Sequence, residues 1–185
     1  EIYAPINQAC WKLYQVDKMT HEELRYERLR QSFDALGYKI SDDEIDRIAI
    51  DYIAFLPDNN ELFDGAIEVL EYLTPKYNLH IITNGFAEVQ QRKMYHSGLE
   101  KYFQTITNSE MAGVKKPHST IFEFALSLAN VKKENAIMIG DCIDADVRGA
   151  MAFGMQAILF DEKEMHFPEE EIMVIKHLLE LKNIL

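Results

Sequence analysis

The sequence has few cysteines, no long apolar stretch and a shortage of basic residues. Cys10 and Cys142 are its only cysteines, which excludes disulfide-rich and zinc-binding frameworks and predicts a reducing compartment. It contains no signal peptide, lipidation motif or apolar run that could span a membrane, so we expect a cytoplasmic protein without membrane contact. The formal net charge is −12, which excludes binding to nucleic acid polymers by bulk attraction.

The apolar content is nevertheless sufficient for a sizeable core, with 48% hydrophobic residues in a chain of 185. Helical periodicity predicts three helices and no strand before residue 60. Two of these helices are expected to begin at capping boxes, the first formed by Thr20 with Glu23 and the second by Ser41 with Glu44. Residues 1–60 are therefore predicted to form a helical domain.

Strands and helices alternate over residues 61–185, a rhythm that predicts an α/β domain with a doubly wound, Rossmann-like parallel sheet. The predicted strands are "NLHIITNG", "FQTITNS", "AIMIGD" and "MQAILFD". The predicted helices are "GAIEVLEYLTPKY", "AEVQQRKMYHSG", "STIFEFALSLANV", "DADVRGAMAFG" and a last one over "EEEIMVIKHLLELKNIL".

Polar residues follow the predicted strands at the edge where open α/β sheets bind ligands. Thr83, Asn84 and Gly85 offer a hydroxyl, an amide and an approachable backbone, which suit a phosphate. An ordinary turn with a helix cap is the alternative for these three residues. Lys116, held directly before Pro117, has the charge to neutralise a phosphate or a nucleophilic carboxylate.

Three aspartates, Asp141, Asp144 and Asp146, crowd the end of the predicted strand "AIMIG", and such crowding requires a cation. Asp141 and Asp146 offer the hard oxygen ligands of an octahedral Mg²⁺ site. Helix capping is the alternative, and it suits Asp144 better than Asp141, since Asp141 lies directly at the strand end.

Taken in order, "IITNG", "VKKP" and "IMIGDCIDAD" resemble the second, third and fourth motifs of the haloacid dehalogenase superfamily of aspartyl phosphohydrolases. The resemblance covers about residues 60–160, and residues 1–60 resemble part of the family's α-helical cap. It implies a two-step phosphoryl transfer that passes through an aspartyl-phosphate and uses Mg²⁺.

The resemblance also implies a role for each matching residue. Thr83, with Asn84 beside it, would bind the transferring phosphoryl group. Lys116 would stabilise the nucleophilic carboxylate and the phosphorylated intermediate. Asp141 and Asp146 would hold Mg²⁺.

One motif of the family is absent from this sequence, namely an apolar strand followed by D-x-D-x-T/V. Its first aspartate is the family's nucleophile and its second is the general acid/base. The "DAD" at 144–146 does not serve, because no strand precedes it closely. The family's first strand lies between the strands matched here by "HIIT" and "AIMIG", so we expect a gap in the sheet with unpaired edges. We therefore expect that an N-terminal segment is missing from this chain or is supplied by another molecule, and that this chain alone is inactive.

The leading function hypothesis is a Mg²⁺-dependent phosphohydrolase of a small phosphorylated metabolite. The sequence most resembles the branch of pyrimidine 5′-nucleotidases that act on noncanonical nucleotides, which implies a nucleoside 5′-monophosphate. A 2-haloacid dehalogenase and a sugar phosphomutase are the alternatives within the fold. The dehalogenase branch, however, has a serine at the Thr83 position and lacks the paired aspartates. A non-catalytic binding module is the alternative from another class of protein.

Overall fold

The computed structural model describes residues 2–165 and 171–185, and it divides the chain into two compact units, Glu1–Asn59 and Asn60–Leu185. The first unit, the helical unit, contains α1 (Tyr3–Gln15), α2 (His21–Ala35), α3 (Asp42–Phe55) and a 3-10 turn (Leu56–Asp58). Over the described ranges, no helix has both the length and the apolar character that crossing a membrane requires.

Both predicted capping boxes are present in the helical unit. The Glu23 N–H donates to the Thr20 hydroxyl at 3.2 Å, and the Thr20 N–H donates to the Glu23 carboxylate at 2.7 Å. Ser41 and Glu44 repeat this exchange at the start of α3. The helices pack around a buried cluster of Leu29, Ile45 and Ala49. Local sequence therefore sets where α2 and α3 begin, and apolar burial holds them together.

The second unit, the sheet unit, alternates helices with strands. Its elements up to the third strand are α4 (Ala66–Leu73), β1 (Leu79–Thr83), α5 (Ala87–His96), β2 (Phe103–Asn108), α6 (Ser109–Ala112), α7 (Ser119–Ala129) and β3 (Ile137–Gly140). A π-helical turn (Ile143–Arg148) then runs into α8 (Gly149–Phe153), followed by β4 (Gln156–Phe160), β5 (Met173–Ile175) and a 3-10 helix (Leu178–Asn183). Short 3-10 turns lie at Glu100–Tyr102 and Lys133–Asn135.

All strand pairs are parallel, and they form two sheets of order β1-β2 and β3-β4-β5. Within the described ranges β1 and β3 do not pair with each other, which agrees with the gap expected between "HIIT" and "AIMIG". The predicted α/β class with parallel strands is thus confirmed, with its sheet in two parts.

The sheet unit has a core on each face of β3. Ile137 and Ile139 pack against a cluster that includes Val69 of α4, whereas Met138 belongs to a cluster with Phe122 of α7. Because successive residues of a strand point to opposite faces, helices cover both sides of this sheet. This arrangement is the doubly wound layering that the alternating elements predict.

The prediction of a last helix over residues 169–185 is wrong for the described part of that range. Residues 169–170 lie outside the described ranges. Met173–Ile175 form a strand that pairs with β4, and Leu178–Asn183 form a 3-10 helix. Met173 is half exposed whereas Ile175 is buried, as expected for alternating faces of a strand. The backbone edge of β4 therefore overrides the helical pattern that the apolar residues also satisfy.

Candidate active site

Thr83 is the last residue of β1, and its hydroxyl oxygen accepts a hydrogen bond from the Gly85 N–H at 2.9 Å. This short turn directs the chain from β1 towards α5. Because the hydroxyl oxygen is the acceptor in this bond, the hydroxyl proton is left to donate to another group. Thr83 is half-buried, so a small ligand at the strand end can reach it.

Lys116 lies in the loop between α6 and α7, and its side chain is buried. Its ammonium donates to the Ile82 carbonyl of β1 at 2.7 Å. The same ammonium forms an ion pair with the Asp146 carboxylate at 2.6 Å. Lys116 therefore links the end of β1 with the π-helical turn that follows β3.

Asp146 is buried on the π-helical turn, where its two carboxylate oxygens have different partners. One oxygen pairs with Lys116, and the other accepts from the Cys142 N–H at 3.2 Å. A Cβ at Gly140 would collide with the Asp146 side chain, so this strand end must be a glycine for the carboxylate to approach. The glycine before Asp141 in the sequence thus makes room for Asp146.

Gly149 allows a second close approach, between the start of α8 and the loop that carries Lys116. A Cβ at Gly149 would lie 2.8 Å from the Pro117 Cβ, which is too close for two carbon atoms. The absence of a side chain at Gly149 lets Pro117 pack directly on the helix backbone. The loop is therefore fixed next to the turn that carries the carboxylate partner of Lys116.

The three aspartates have three different environments. Asp146 is buried and paired with Lys116, whereas Asp144 is exposed and paired with Arg148 at 2.8 Å. Asp141 is exposed directly after β3, and its carboxylate has no hydrogen bond or ion pair with any residue that the structure describes. Asp144 faces solvent and does not cap the turn, since the N-cap position is Cys142 and no side chain caps it, whereas Asp141 is open to a ligand.

The donors at this strand end fit a magnesium ion. Two carboxylates supply hard oxygen ligands, and Mg²⁺ is usually held by one or two carboxylates together with water and phosphate oxygens. Lys116 offsets the charge of Asp146, which leaves Asp141 as the unpaired negative group. No group of three or more His, Cys, Asp or Glu side chains in the described ranges is placed to hold a metal, so the residues do not fit a closed zinc-type site.

Hydrogen bonds and an ion pair connect Asn84, Lys116 and Asp146. Thr83 and Gly85, on either side of Asn84 in the chain, are bonded to each other. Asp141 directly follows β3 and is not part of these contacts. The sequence did not point to the backbone groups that complete these contacts, namely the Ile82 carbonyl and the Cys142 N–H, because backbone partners leave no residue-type signal. For Gly140 the sequence did offer a signal, because this glycine directly precedes a candidate site residue.

Comparison with known proteins gives a consistent family. The family model described as haloacid dehalogenase-like hydrolase matches residues 2–160. The pyrimidine 5′-nucleotidase PynA of Streptococcus pneumoniae is 28% identical over 194 residues, which cover 100% of this chain and 81% of PynA. The pyrimidine 5′-nucleotidase YjjG of Escherichia coli is 28% identical over 168 residues, which cover 90% of this chain and 72% of YjjG.

The solved structures include a similar protein with a bound metal. The crystal structure of the HAD-hydrolase YfnB of Bacillus subtilis bound to magnesium matches with a TM-score of 0.87 and 28% identity. The match covers 98% of this chain and 79% of the YfnB chain. Both units of the present chain therefore have counterparts in one solved hydrolase.

Proposed function

This chain belongs to the haloacid dehalogenase-like hydrolases, and on that premise we propose that it is a Mg²⁺-dependent phosphohydrolase of small phosphorylated metabolites, with nucleoside 5′-monophosphates as the preferred class. The observation that carries the proposal is the buried Lys116 ammonium, held between the carbonyl at the end of β1 and the Asp146 carboxylate. A buried cation at the carboxyl end of a parallel strand suits an anionic substrate.

Each site residue has a chemical task in this reaction. The Thr83 hydroxyl donates to an oxygen of the transferring phosphoryl group, and the Lys116 ammonium stabilises the negative charge that develops there. Asp141 and Asp146 hold Mg²⁺, which supplies further positive charge for the phosphoryl oxygens when bound. The Gly85 N–H bonds the Thr83 hydroxyl in the turn after β1, and the Asn84 amide bonds the Lys116 backbone.

The nucleophile in this proposal is an aspartate on a further strand that pairs between β1 and β3. Its carboxylate attacks phosphorus, forms an aspartyl-phosphate and releases the alcohol of the substrate. Water then hydrolyses the acyl phosphate with the help of a second aspartate that acts as general acid/base. One observation supports a strand at this place, because β1 and β3 are not paired with each other in the part of the chain that the structure describes. On this view residues 1–185 alone do not turn over substrate.

The substrate class rests on the similarity to two pyrimidine 5′-nucleotidases along 90–100% of this chain, which includes the helical unit. We assign the helical unit the role of the family's cap, the part that selects the substrate. The acidic net charge and the low number of cysteines agree with a cytoplasmic enzyme that acts on small molecules and uses a metal to bind an anion.

The first test is to read the gene upstream of Glu1 for an apolar strand followed by D-x-D. If that pattern is absent, the aspartyl-phosphate proposal fails. If it is present, the protein including that segment is assayed with p-nitrophenyl phosphate and a panel of nucleoside monophosphates and sugar phosphates. We expect turnover that requires Mg²⁺ and is abolished by EDTA.

The variant Asp141→Asn tests the metal assignment in the same assay, with Asp144→Asn as the matched control because Asp144 is exposed and paired with Arg148. We expect activity to fall steeply in the first variant and to stay near that of the native protein in the second. Activity of Asp141→Asn that equals the native level contradicts the metal role. Release of chloride from 2-chloropropionate without metal favours a dehalogenase instead.

A further inference from the structure

The side chain of Asn84 is 7% exposed and is bonded to the backbone of a residue 32 positions away. Its amide oxygen accepts from the Lys116 N–H at 2.8 Å. Its amide nitrogen donates to the Lys116 carbonyl at 2.9 Å. Both backbone polar groups of Lys116 are thus bound by one side chain, as they would be by a neighbouring strand.

This two-point contact fixes Lys116 relative to the end of β1. A lysine side chain has several rotatable bonds, so the place its ammonium can reach depends on where its backbone is held. Asn84 directly follows Thr83, and the Lys116 ammonium bonds the carbonyl of Ile82. One short segment of the chain therefore presents the hydroxyl of Thr83 and fixes both ends of Lys116.

We propose that Asn84 is a positioning residue, which holds the Lys116 backbone so that the ammonium lies between the Ile82 carbonyl and the Asp146 carboxylate. This role differs from phosphoryl binding by Asn84 itself, since both polar atoms of the amide are bonded to the Lys116 backbone. The structural part of the proposal stands independently, whereas its effect on turnover rests on the proposed phosphohydrolase function.

The contact needs a side chain that has one acceptor and one donor at this length. Aspartate keeps an acceptor for the Lys116 N–H but sets a second oxygen against the Lys116 carbonyl, where the two oxygens repel each other. Alanine has neither group. Asn84→Ala and Asn84→Asp are therefore both expected to release Lys116, for different reasons.

Asn108 provides a matched control. It ends β2, lies opposite Thr83 in the sheet register and is 6% exposed, close to the exposure of Asn84. Its side chain accepts from the Met111 N–H in α6, and the hydrogen bonds of Lys116 go to Asn84 and Ile82 instead. Asn108→Ala thus removes a similarly buried asparagine at the neighbouring strand end and leaves the Lys116 backbone bonded.

The experiment measures hydrogen exchange at the Lys116 amide and acetylation of its ε-amine by acetic anhydride, with Lys115 as the internal reference. In Asn84→Ala and Asn84→Asp, we expect amide exchange to rise about tenfold or more, as for loss of a buried hydrogen bond. Acetylation of Lys116 relative to Lys115 is expected to rise as well. Asn108→Ala is expected to change neither quantity.

Unchanged exchange and acetylation in Asn84→Ala, or a native-like Asn84→Asp, overturn the proposal, as does an equal rise in Asn108→Ala.

Kinetics of the active protein then test the effect on turnover. We expect kcat for p-nitrophenyl phosphate to fall at least tenfold in Asn84→Ala while KM changes less than about threefold, because an ammonium out of place loses transition-state stabilisation. A rise in KM with kcat unchanged would overturn the positioning role. Absence of any phosphatase activity would instead contradict the proposed function, and the exchange result would stand.

Discussion

Among the described residues, each of the two units buries one long basic side chain, and the surroundings of the two charges differ. In the sheet unit Lys116 is 7% exposed, and its ammonium is bonded to the Ile82 carbonyl and paired with Asp146. In the helical unit Arg28 of α2 is 3% exposed and stacks over the Tyr52 ring at 4.4 Å. The Nε and Nη2 atoms of Arg28 have no hydrogen-bond partner among the residues that the structure describes.

The difference shows which of the two buried charges has contacts that fix its position. A buried donor without a partner costs about 1–3 kcal/mol, whereas a buried ion pair with good geometry offsets part of its desolvation. Directional contacts hold Lys116 at one point, as an active site requires, and Asn84 fixes its backbone as well. Arg28 is held by packing against an aromatic ring. We therefore expect its charge to add little to the stability that its shape already provides. Removing the two charges should therefore change stability in opposite directions.

The largest expected effect is that of Lys116→Met, which leaves the Asp146 carboxylate buried without its cation. Breaking a buried ion pair from one side typically costs about 3–5 kcal/mol. We expect a loss of that size in the free energy of unfolding, measured by urea denaturation. The double variant Lys116→Met/Asp146→Leu removes both charges and is expected to be more stable than Lys116→Met alone. A double variant less stable than the single one would contradict this account of the pair.

The second effect is expected for Gly140→Ala, which adds a methyl group on β3 next to the Asp146 side of the same ion pair. The added Cβ collides with the Asp146 side chain, so either β3 or the carboxylate must shift. Overpacking of this kind costs about 1–3 kcal/mol, which urea denaturation can measure. In an Asp146→Gly background the colliding atoms are gone, and the same substitution should cost clearly less. Equal costs in both backgrounds would show that the collision is not with Asp146.

The sequence predicts those parts of this comparison that depend on neighbouring residues. The capping boxes at Thr20 and Ser41, and Lys116 and Asp146 as candidate site residues in the segments after strands, can be read from short patterns because each pattern carries its own chemistry. The contact of Asn84 with Lys116 could not be predicted, because it joins residues 32 positions apart and uses backbone atoms. For an amide after a strand, ligand binding, capping and cross-linking all fit the same residue type.

The fold was predictable to a similar depth. Alternating apolar strands and helices gave the α/β class, because periodicity is local. The strand Met173–Ile175 was missed because its residues also fit a helix, and only the edge of β4 decides between the two. Buried arginine is equally ambiguous in sequence: on α2, Arg28 is buried and Arg30 is bonded to Asp42, although the two residues are only two positions apart.

The third effect has the opposite sign and compares these two arginines. Arg28→Met keeps much of the buried volume and removes two donors that lack partners, so we expect the free energy of unfolding to stay level or rise by up to about 1 kcal/mol. Arg30→Met removes hydrogen bonds to Tyr26, Asp42 and the Ile40 carbonyl, and it should lower stability slightly. Urea denaturation of both variants checks the signs. A loss in Arg28→Met larger than that in Arg30→Met would show that Arg28 has an important partner.

The smallest effect depends on pH and concerns His80 of β1, a half-buried group that can lose its charge. Burial lowers the pKa of His80, and its Nδ1 lies 2.8 Å from the Thr105 hydroxyl. Because the folded pKa lies below the unfolded value of about 6.5, the unfolded chain binds the proton first as pH falls. The stability that neutral His80 contributes is therefore present above about pH 6.5 and is lost below it.

We expect His80→Gln to reduce the drop in urea midpoint between about pH 7.5 and 5.5. His96→Gln, at an exposed position, controls for the loss of an imidazole as such. If His80→Gln and the native chain lose stability equally over this range, burial of His80 does not contribute to the pH dependence.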